Sequence, residues 1–540
     1  MTLLLSLRNF LRARRFLSSH VLIDLSGQIE ELPTAEAGLL PKLAARAGVG
    51  GEASLSVASL RSRFERLASD RRVRGVVLRI ECEASPAVYQ SLRAEIERFR
   101  ASGRRVIAYA ERLDPFQYYL ACACDAIVMP PSAEWGVVGV AGEYIFFKDL
   151  LARLGIGVDV VNVSPYKSAG DTWARAEFSP EARAQAESLL DARFDELVRG
   201  IAAGRAMTNE RARAWIDAAP LGAREACAAG LIDAALYEDE LEGWLATASP
   251  IEPVRRRRAA PRILENWHDA EKTIRLSPRP GQARGVGVVA IEGMIVRGQG
   301  MRSPIPLPIL GSSTAGSTAV VQALRRAERD ESIAAIVLFV NSGGGDALAS
   351  DLIAREVRRV RTKKPVVAYL SSVAASGGYY VAALAQRIVA QPQTITGSIG
   401  VITIKPNTRG AFEKLNLHRE SIARGANALL YSDASPLDEH SRGALERGMR
   451  RVYDDFKAIV AEGRGLVNDE SLEEICGGRV WTAEQARERG LVDELGGFDV
   501  AVRIAAERAG LSTGGRRVGW RRVEAGRRTV LPPADGCPRF

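Results

Sequence analysis

The second half of this chain restates its first, and that duplication limits the fold more than any other feature. RGVVLRIECEASPAVYQSLRAEI (74–96) aligns with AAIVLFVNSGGGDALASDLIAREV (334–357), and VIAYAERLDPFQYYLACACDAIVMPP (106–131) with VVAYLSSVAASGGYYVAALAQRIVAQP (366–392). Setting Tyr118-Tyr119 on Tyr379-Tyr380 gives an offset of 379 − 118 = 261 residues. Within each half, short apolar runs rich in β-branched residues alternate with amphipathic stretches, the pattern of buried parallel strands crossed by helices. At 540 residues the chain is too long for one core and suits two domains of ~250 residues each. The expected fold is therefore α/β, built from two tandem domains with parallel strands and helices.

Local composition sets the boundaries. Residues 1–21 are leucine- and phenylalanine-rich but interrupted by Arg8, Arg12, Arg14 and Arg15, so they are not a spanning helix, which needs ~20 mostly apolar residues. A basic amphipathic helix on an anionic membrane surface and a soluble packing helix both fit. The first repeat covers 22–248 and the second 286–511. Between them, 249–285 carries prolines and the run Arg255–Arg258 and reads as a basic linker; 512–540 reads as a basic, disordered tail. Another proline- and glycine-rich stretch, 301–318, suits a mobile loop over a groove or an ordinary connector. The net charge of +9 permits nucleic acid as a partner, but no DNA- or RNA-binding pattern accompanies it; a solvated linker or attraction to anionic lipid accounts for the arginines. Six cysteines in a chain this long make no disulfide framework, Cys122 and Cys124 form CxC and not a zinc-binding CxxC, and no cofactor or metal is called for.

The chemistry concentrates in YLSSVAASGGYY (369–380), where an apolar strand gives way to a helix at Ser376, Gly377 and Gly378. Amides at a helix N-terminus lack intrahelical partners and can stabilise an oxyanion beside an attacking hydroxyl. A plain helix cap with packing glycines would look similar, so neighbouring features must decide. One strand–helix unit earlier, NSGGGD (341–346) presents glycine amides at a strand end. Its spacing is not the GxxxxGK[ST] of a phosphate loop, and an oxyanion hole is the better reading. TGSIG (396–400) frames Ser398 with glycines after a further strand.

A serine nucleophile needs a base. None of His20, His268, His418 and His440 sits in a motif-like context. A lysine serves if burial lowers its pKa from ~10.4 toward ~7, and Lys167, in VDVVNVSPYKSAG (158–170), follows an apolar strand. The repeat alignment strengthens that choice. Pro115 stands opposite Ser376, Gly136 opposite Gly397 and Ala428 opposite Lys167, and no lysine occurs in 419–432. Each half keeps one member of a serine–lysine pair, so the site has to be assembled across the two.

These residues resemble a known family, the long two-repeat form of bacterial signal peptide peptidase A, also called protease IV. The likeness runs from about Leu22 to Leu511 and rests on VxASGGYY around Ser376, TGSIG, YKSA (166–169) followed by Arg175 and Ser179-Pro180, and RVWTAEQARERGLVDELGG (479–497). The resemblance implies a serine protease of the crotonase or Clp-protease-like superfold. Ser376 would be the nucleophile, Lys167 the general base and then acid, Ser398 the hydroxyl that orients the lysine, and the amides of Gly344 and Gly377 the oxyanion hole. It further implies peptide substrates such as cleaved signal peptides and unfolded segments, a homo-oligomer, expected as a tetramer, and association with the bacterial inner membrane. Two departures stand out: the family's NSPGGS is NSGGGD here, and Trp173-Ala174 replace a proline–phenylalanine pair. An acyl-CoA enzyme of the same superfold and a catalytically inactive scaffold are the alternatives; the first would need no serine–lysine split between repeats.

Overall fold

The computed structural model describes residues 9, 12, 18–33, 55–248, 263–275, 284–307, 311–467, 470–511 and 518–525. Each repeat is organised around its own sheet. In the first, six parallel strands lie in the order Leu264–Asn266, His20–Gln28, Gly75–Glu83, Arg105–Tyr109, Ala126–Met129 and Ala234–Ala235. In the second, Trp520–Arg522, Gly285–Glu292, Ile333–Ser342 and Val366–Ala375 follow one another in parallel. The last of these then splits its partners, pairing with Arg387–Ala390 along one stretch and with Ile395–Gly397 at its C-terminal end. Central strands such as Ile333–Ser342 are apolar on both faces because both are covered. One face of the second sheet packs under the helices Ser317–Arg329 and Ala347–Val360 and the other under Phe498–Arg508.

The duplication extends to individual hydrogen bonds. Tyr118 donates its hydroxyl proton to the Leu231 carbonyl at 2.7 Å, and Tyr379 does the same to Leu491 at 2.8 Å. Asp233 accepts from the Ile127 amide at 2.8 Å as Asp493 accepts from Ile388 at 2.7 Å. A buried tyrosine tied to the closing turn is thus part of the unit's framework, whether or not the unit carries chemistry.

Three expectations of the boundaries change. Within the stretch read as a linker, Leu264–Asn266 adds an edge strand to the first sheet, and the helix Trp267–Thr273 follows it. Within the stretch read as a disordered tail, Trp520–Arg522 occupies the same edge of the second sheet, against Gly285–Glu292. Three-residue strands among arginines carry too little alternation to be seen in sequence, yet each supplies backbone partners to an otherwise open edge. The stretch 301–318 contains two antiparallel strands, Arg302–Leu307 and Gly311–Gly316, in place of an irregular connector. Of the N-terminal segment, Arg12 donates to the carbonyls of Glu271 and Ile274 at 2.9 and 2.8 Å, capping the end of Trp267–Thr273; most of 1–21 lies outside the described residues.

What joins the repeats bears on function. Gly157–Asn162 of the first pairs antiparallel with Ile402–Asn407 of the second, an arm made equally from both halves. Beside it a polar seam crosses between them: Gln391 donates to Ser91 Oγ at 3.0 Å and the Gln393 amide to Gln90 Oε1 at 2.9 Å, both buried, and the half-buried Val480 amide donates to Gln185 Oε1 at 2.7 Å. Buried amides and carboxamides of this kind are costly to leave unmade, so the seam fixes one register between repeats.

Candidate active site

Ser376 follows directly on the strand Val366–Ala375 and is the N-cap of the helix Gly377–Ala383. Its backbone takes φ 53° and ψ −122°, a region that costs a non-glycine residue about 1–3 kcal/mol. The turn is sharp enough to lift the side chain off the strand end, and it is held by the Ser376 amide donating to the Gly397 carbonyl at 2.9 Å and the Tyr380 amide to the Ser376 carbonyl at 2.9 Å. Ser398 also lies at positive φ, 52°, with its amide donating to the Arg479 carbonyl at 2.7 Å.

The arm between repeats brings the lysine. After Gly157–Asn162 the chain turns through 163–170 over the end of Ile395–Gly397, and Lys167 Nζ reaches Ser376 Oγ at 2.9 Å, the Ser398 carbonyl at 2.7 Å and Ser398 Oγ at 3.0 Å. Lys167 is 5% exposed, and among the described residues no carboxylate bonds its amine. Burial without a compensating anion disfavours the charged form and lowers its pKa from 10.5 to about 7. A neutral amine has two N–H donors and one lone pair. The two oxygens of Ser398 can take both donors, which leaves the lone pair for the Ser376 hydroxyl proton.

Both groups line a cavity of about 750 Å³ with Gly345 and Gly377. Apolar contacts there come from Leu445, Met449 and Phe456 on the helix Glu439–Arg464. Arg297 and Asp346, paired at 3.2 Å, line it too, and none of the four histidines does.

The amides need one revision. Gly344, expected to face the substrate, donates its N–H to Ser342 Oγ at 3.1 Å, while its carbonyl accepts from Ile295 at 2.9 Å. At φ +106° it packs so closely under Ser376 that a Cβ would lie 2.7 Å from the Gly377 amide and 2.9 Å from Ser376 Cβ. The next amide, Gly345, finds no acceptor among the described residues, and a Cβ on Gly377 would lie 3.2 Å from that nitrogen. Gly377, first in its helix, has an N–H that the helix cannot use. The pair facing the cavity is accordingly Gly345 and Gly377. The family departure at 343–346 is also resolved: Gly343 has open space around its Cβ position, and Asp346 caps Ala347–Val360 by accepting from Ala349 at 2.8 Å.

The sequence pattern of peptidase family S49 matches residues 98–251 and 358–512, one segment in each repeat. The chain belongs to peptidase family S49. The chloroplastic serine protease SPPA of Arabidopsis thaliana is 31% identical over 459 residues, 85% of this chain and 66% of that protein. Protease 4 of Haemophilus influenzae is 29% identical over 81% of this chain and 70% of its own length, and Protease 4 of Salmonella typhi 29% over 91% and 78%. Membership in the S49 peptidases agrees with the two-domain α/β architecture of parallel sheets and makes a serine peptidase of the chain.

Among residues the sequence reading of this S49 peptidase missed, the cavity wall on Glu439–Arg464 had a signal available. Leu445, Met449, Val452 and Phe456 recur at helical spacing in an otherwise charged helix. Nothing in sequence marks that this stripe faces a substrate site and not an ordinary core.

Proposed function

We propose that this chain is a serine endopeptidase in which Ser376 attacks the scissile carbonyl while Lys167 takes its proton. The observation that carries the reading is the 2.9 Å contact between a buried, anion-free lysine and a strained serine at a helix N-terminus. As the Oγ–C bond forms, the Ser376 proton passes to Nζ and the carbonyl oxygen takes up negative charge beside the amides of Gly345 and Gly377. The ammonium stays held by the Ser398 carbonyl and hydroxyl and returns its proton to the leaving amine as the C–N bond breaks. Water then attacks the ester on Ser376, with Lys167 again as base. The acyl-CoA alternative would want a carboxylate base, and Asp346, the acid that lines the cavity, is paired with Arg297.

The test is labelling with a fluorophosphonate. Mapping should find the adduct on Ser376, and the labelling rate should rise with pH to a plateau with its midpoint near 7, because the neutral lysine is the competent form. An adduct elsewhere, or a rate flat from pH 5 to 9, would remove the reading.

The substrates we infer are extended peptides with apolar side chains, cleaved signal peptides and unfolded segments among them, since Leu445, Met449, Val452 and Phe456 give the cavity one apolar wall and extended peptides commonly bind by strand addition. We further infer a homo-oligomer, a tetramer of two-repeat chains. Of the seventeen exposed large apolar side chains among the described residues, twelve fall on the arm and its flanks, from Val138 to Trp173 and from Ile404 to Tyr431, with Ile422 89% exposed. A concentration of this kind on one element marks an interaction surface, and a second copy supplies the same surface in return. Light scattering should give a tetramer that Ile422→Asp dissociates; a monodisperse monomer that cleaves peptides would overturn the assembly. Among the described residues no helix is long and apolar enough to cross a membrane. Contact with the bacterial inner membrane would use the basic segments 1–21 and Arg255–Arg258 on anionic lipid.

A further inference from the structure

Lys167 and Ser398 come from different repeats, and the segment 477–481 of the second repeat lies between them. The Tyr166 amide donates to the Gly477 carbonyl at 3.2 Å, the Gly478 amide to the Ile399 carbonyl at 2.8 Å, and the Ser398 amide to the Arg479 carbonyl at 2.7 Å. Gly478, at φ +78°, packs so closely that a Cβ would stand 2.6 Å from the Lys167 backbone nitrogen. From the same segment the Arg479 guanidinium enters a stack: its Cζ lies 5.0 Å from the ring centre of Tyr166 and 4.5 Å from that of Trp481, with Arg489 on Trp481 at 3.8 Å. Trp481 is in turn fixed by donating its indole N–H to the Ile475 carbonyl at 3.0 Å. Tyr166 is the residue next to the lysine, so Arg479 packs directly onto the lysine loop.

We propose that Arg479 is a positioning residue, clamping the Lys167 loop of one repeat against the Ser398 loop of the other through Tyr166 and Trp481. The inference rests on the serine–lysine reading. Its physical content is that a planar guanidinium between two rings does two things at once. It holds the loop's backbone in register with the Gly478 contact, and it keeps water from the amine. A lysine at 479 would keep the charge but not the plane that matches both rings.

The decisive experiment is Arg479→Lys, measured per active site after titration with the fluorophosphonate. We expect kcat to fall about tenfold with KM within about twofold, because the base is misplaced while the cavity is intact. The pH midpoint of kcat should move upward by about one unit as water reaches Lys167. Gly478→Ala should shift both in the same direction and further. A residue that only held the fold together would lower the number of titratable sites and leave kcat per site and the midpoint unchanged, and that result overturns the proposal. Tyr166→Leu should reproduce the Arg479→Lys phenotype, and the double variant should be no worse than either single; full additivity would also overturn it. Failure of the underlying dyad is separately visible. Lys167→Ala would then retain activity, whereas with the dyad intact and Arg479→Lys indistinguishable from wild type only the clamp is lost.

Discussion

Ser376→Ala should lower peptidase activity by at least about 10³-fold, Lys167→Ala should do the same, and the double variant should be no worse than either single. Nucleophile and base act as one unit, so removing either forfeits the same step. The size follows from what remains. With the hydroxyl gone, the amides of Gly345 and Gly377 still polarise a bound carbonyl but nothing attacks it. With the amine gone, Ser376 keeps its place at the strand end but has no acceptor for its proton, since no other titratable side chain bonds it among the described residues. Ser398→Ala should cost much less, about fivefold to tenfold, because the carbonyl of the same residue still holds Nζ at 2.7 Å and one neutral hydrogen bond is worth ~1 kcal/mol. The measurement is hydrolysis of a fluorogenic peptide by each variant, with thermal melting to show that the fold survives. Activity retained in Ser376→Ala would end the serine mechanism, and Ser398→Ala as damaging as Lys167→Ala would mean that the hydroxyl, not the carbonyl, carries the orientation.

How much of this was legible in the sequence depended on where the information lay. The duplication and the strand–helix units were visible because a strand buried on both faces, such as Ile333–Ser342, is apolar over most of its length, here from Ile333 to Val340. The pairing of Lys167 with Ser376 was inferable without any geometry, since each repeat lacks what the other keeps. What could not be read was anything set by backbone direction. Gly344 and Gly345 are identical letters, and only the bond from Gly344 to Ser342 Oγ decides which amide stays free. Short edge strands were hidden for a related reason: Trp520–Arg522 is held by backbone bonds to Gly285–Glu292, and its side chains carry no strand signature. The arm was half legible. Gly157–Asn162 reads as a strand, but its antiparallel partner Ile402–Asn407 belongs to the other repeat, and pairing across 240 residues (Ile402↔Asn162, 402 − 162) leaves no local trace.

The buried Lys167 should also be a burden on the fold, and Lys167→Met should relieve it. In the unfolded chain the amine titrates near 10.5, in the folded protein at about 7. Between those values the unfolded state binds the additional proton, so wild-type stability rises with pH across that window and levels off above it. At pH 7 and below the folded protein carries most or all of the cost of enclosing the charge. At about 1.36 kcal/mol per pH unit, the gap between 10.5 and about 7 comes to about 5 kcal/mol, as an order of magnitude. Methionine fills a similar volume without the charge, but it leaves the Ser398 carbonyl without its donor, a loss of ~1–3 kcal/mol. The net expectation is a variant more stable than wild type by ~2–4 kcal/mol at pH 6 to 7. That advantage shrinks as pH rises toward 10.5, where the amine is neutral in both states and only the lost hydrogen bonds count; there the wild type should be the more stable. Urea midpoints of the two proteins at pH 6, 8 and 10 read this directly, as curves that approach and cross at high pH. Parallel curves over the same range would mean that Lys167 has the same proton occupancy folded and unfolded, and a lysine that stays charged in the fold has no lone pair with which to deprotonate Ser376.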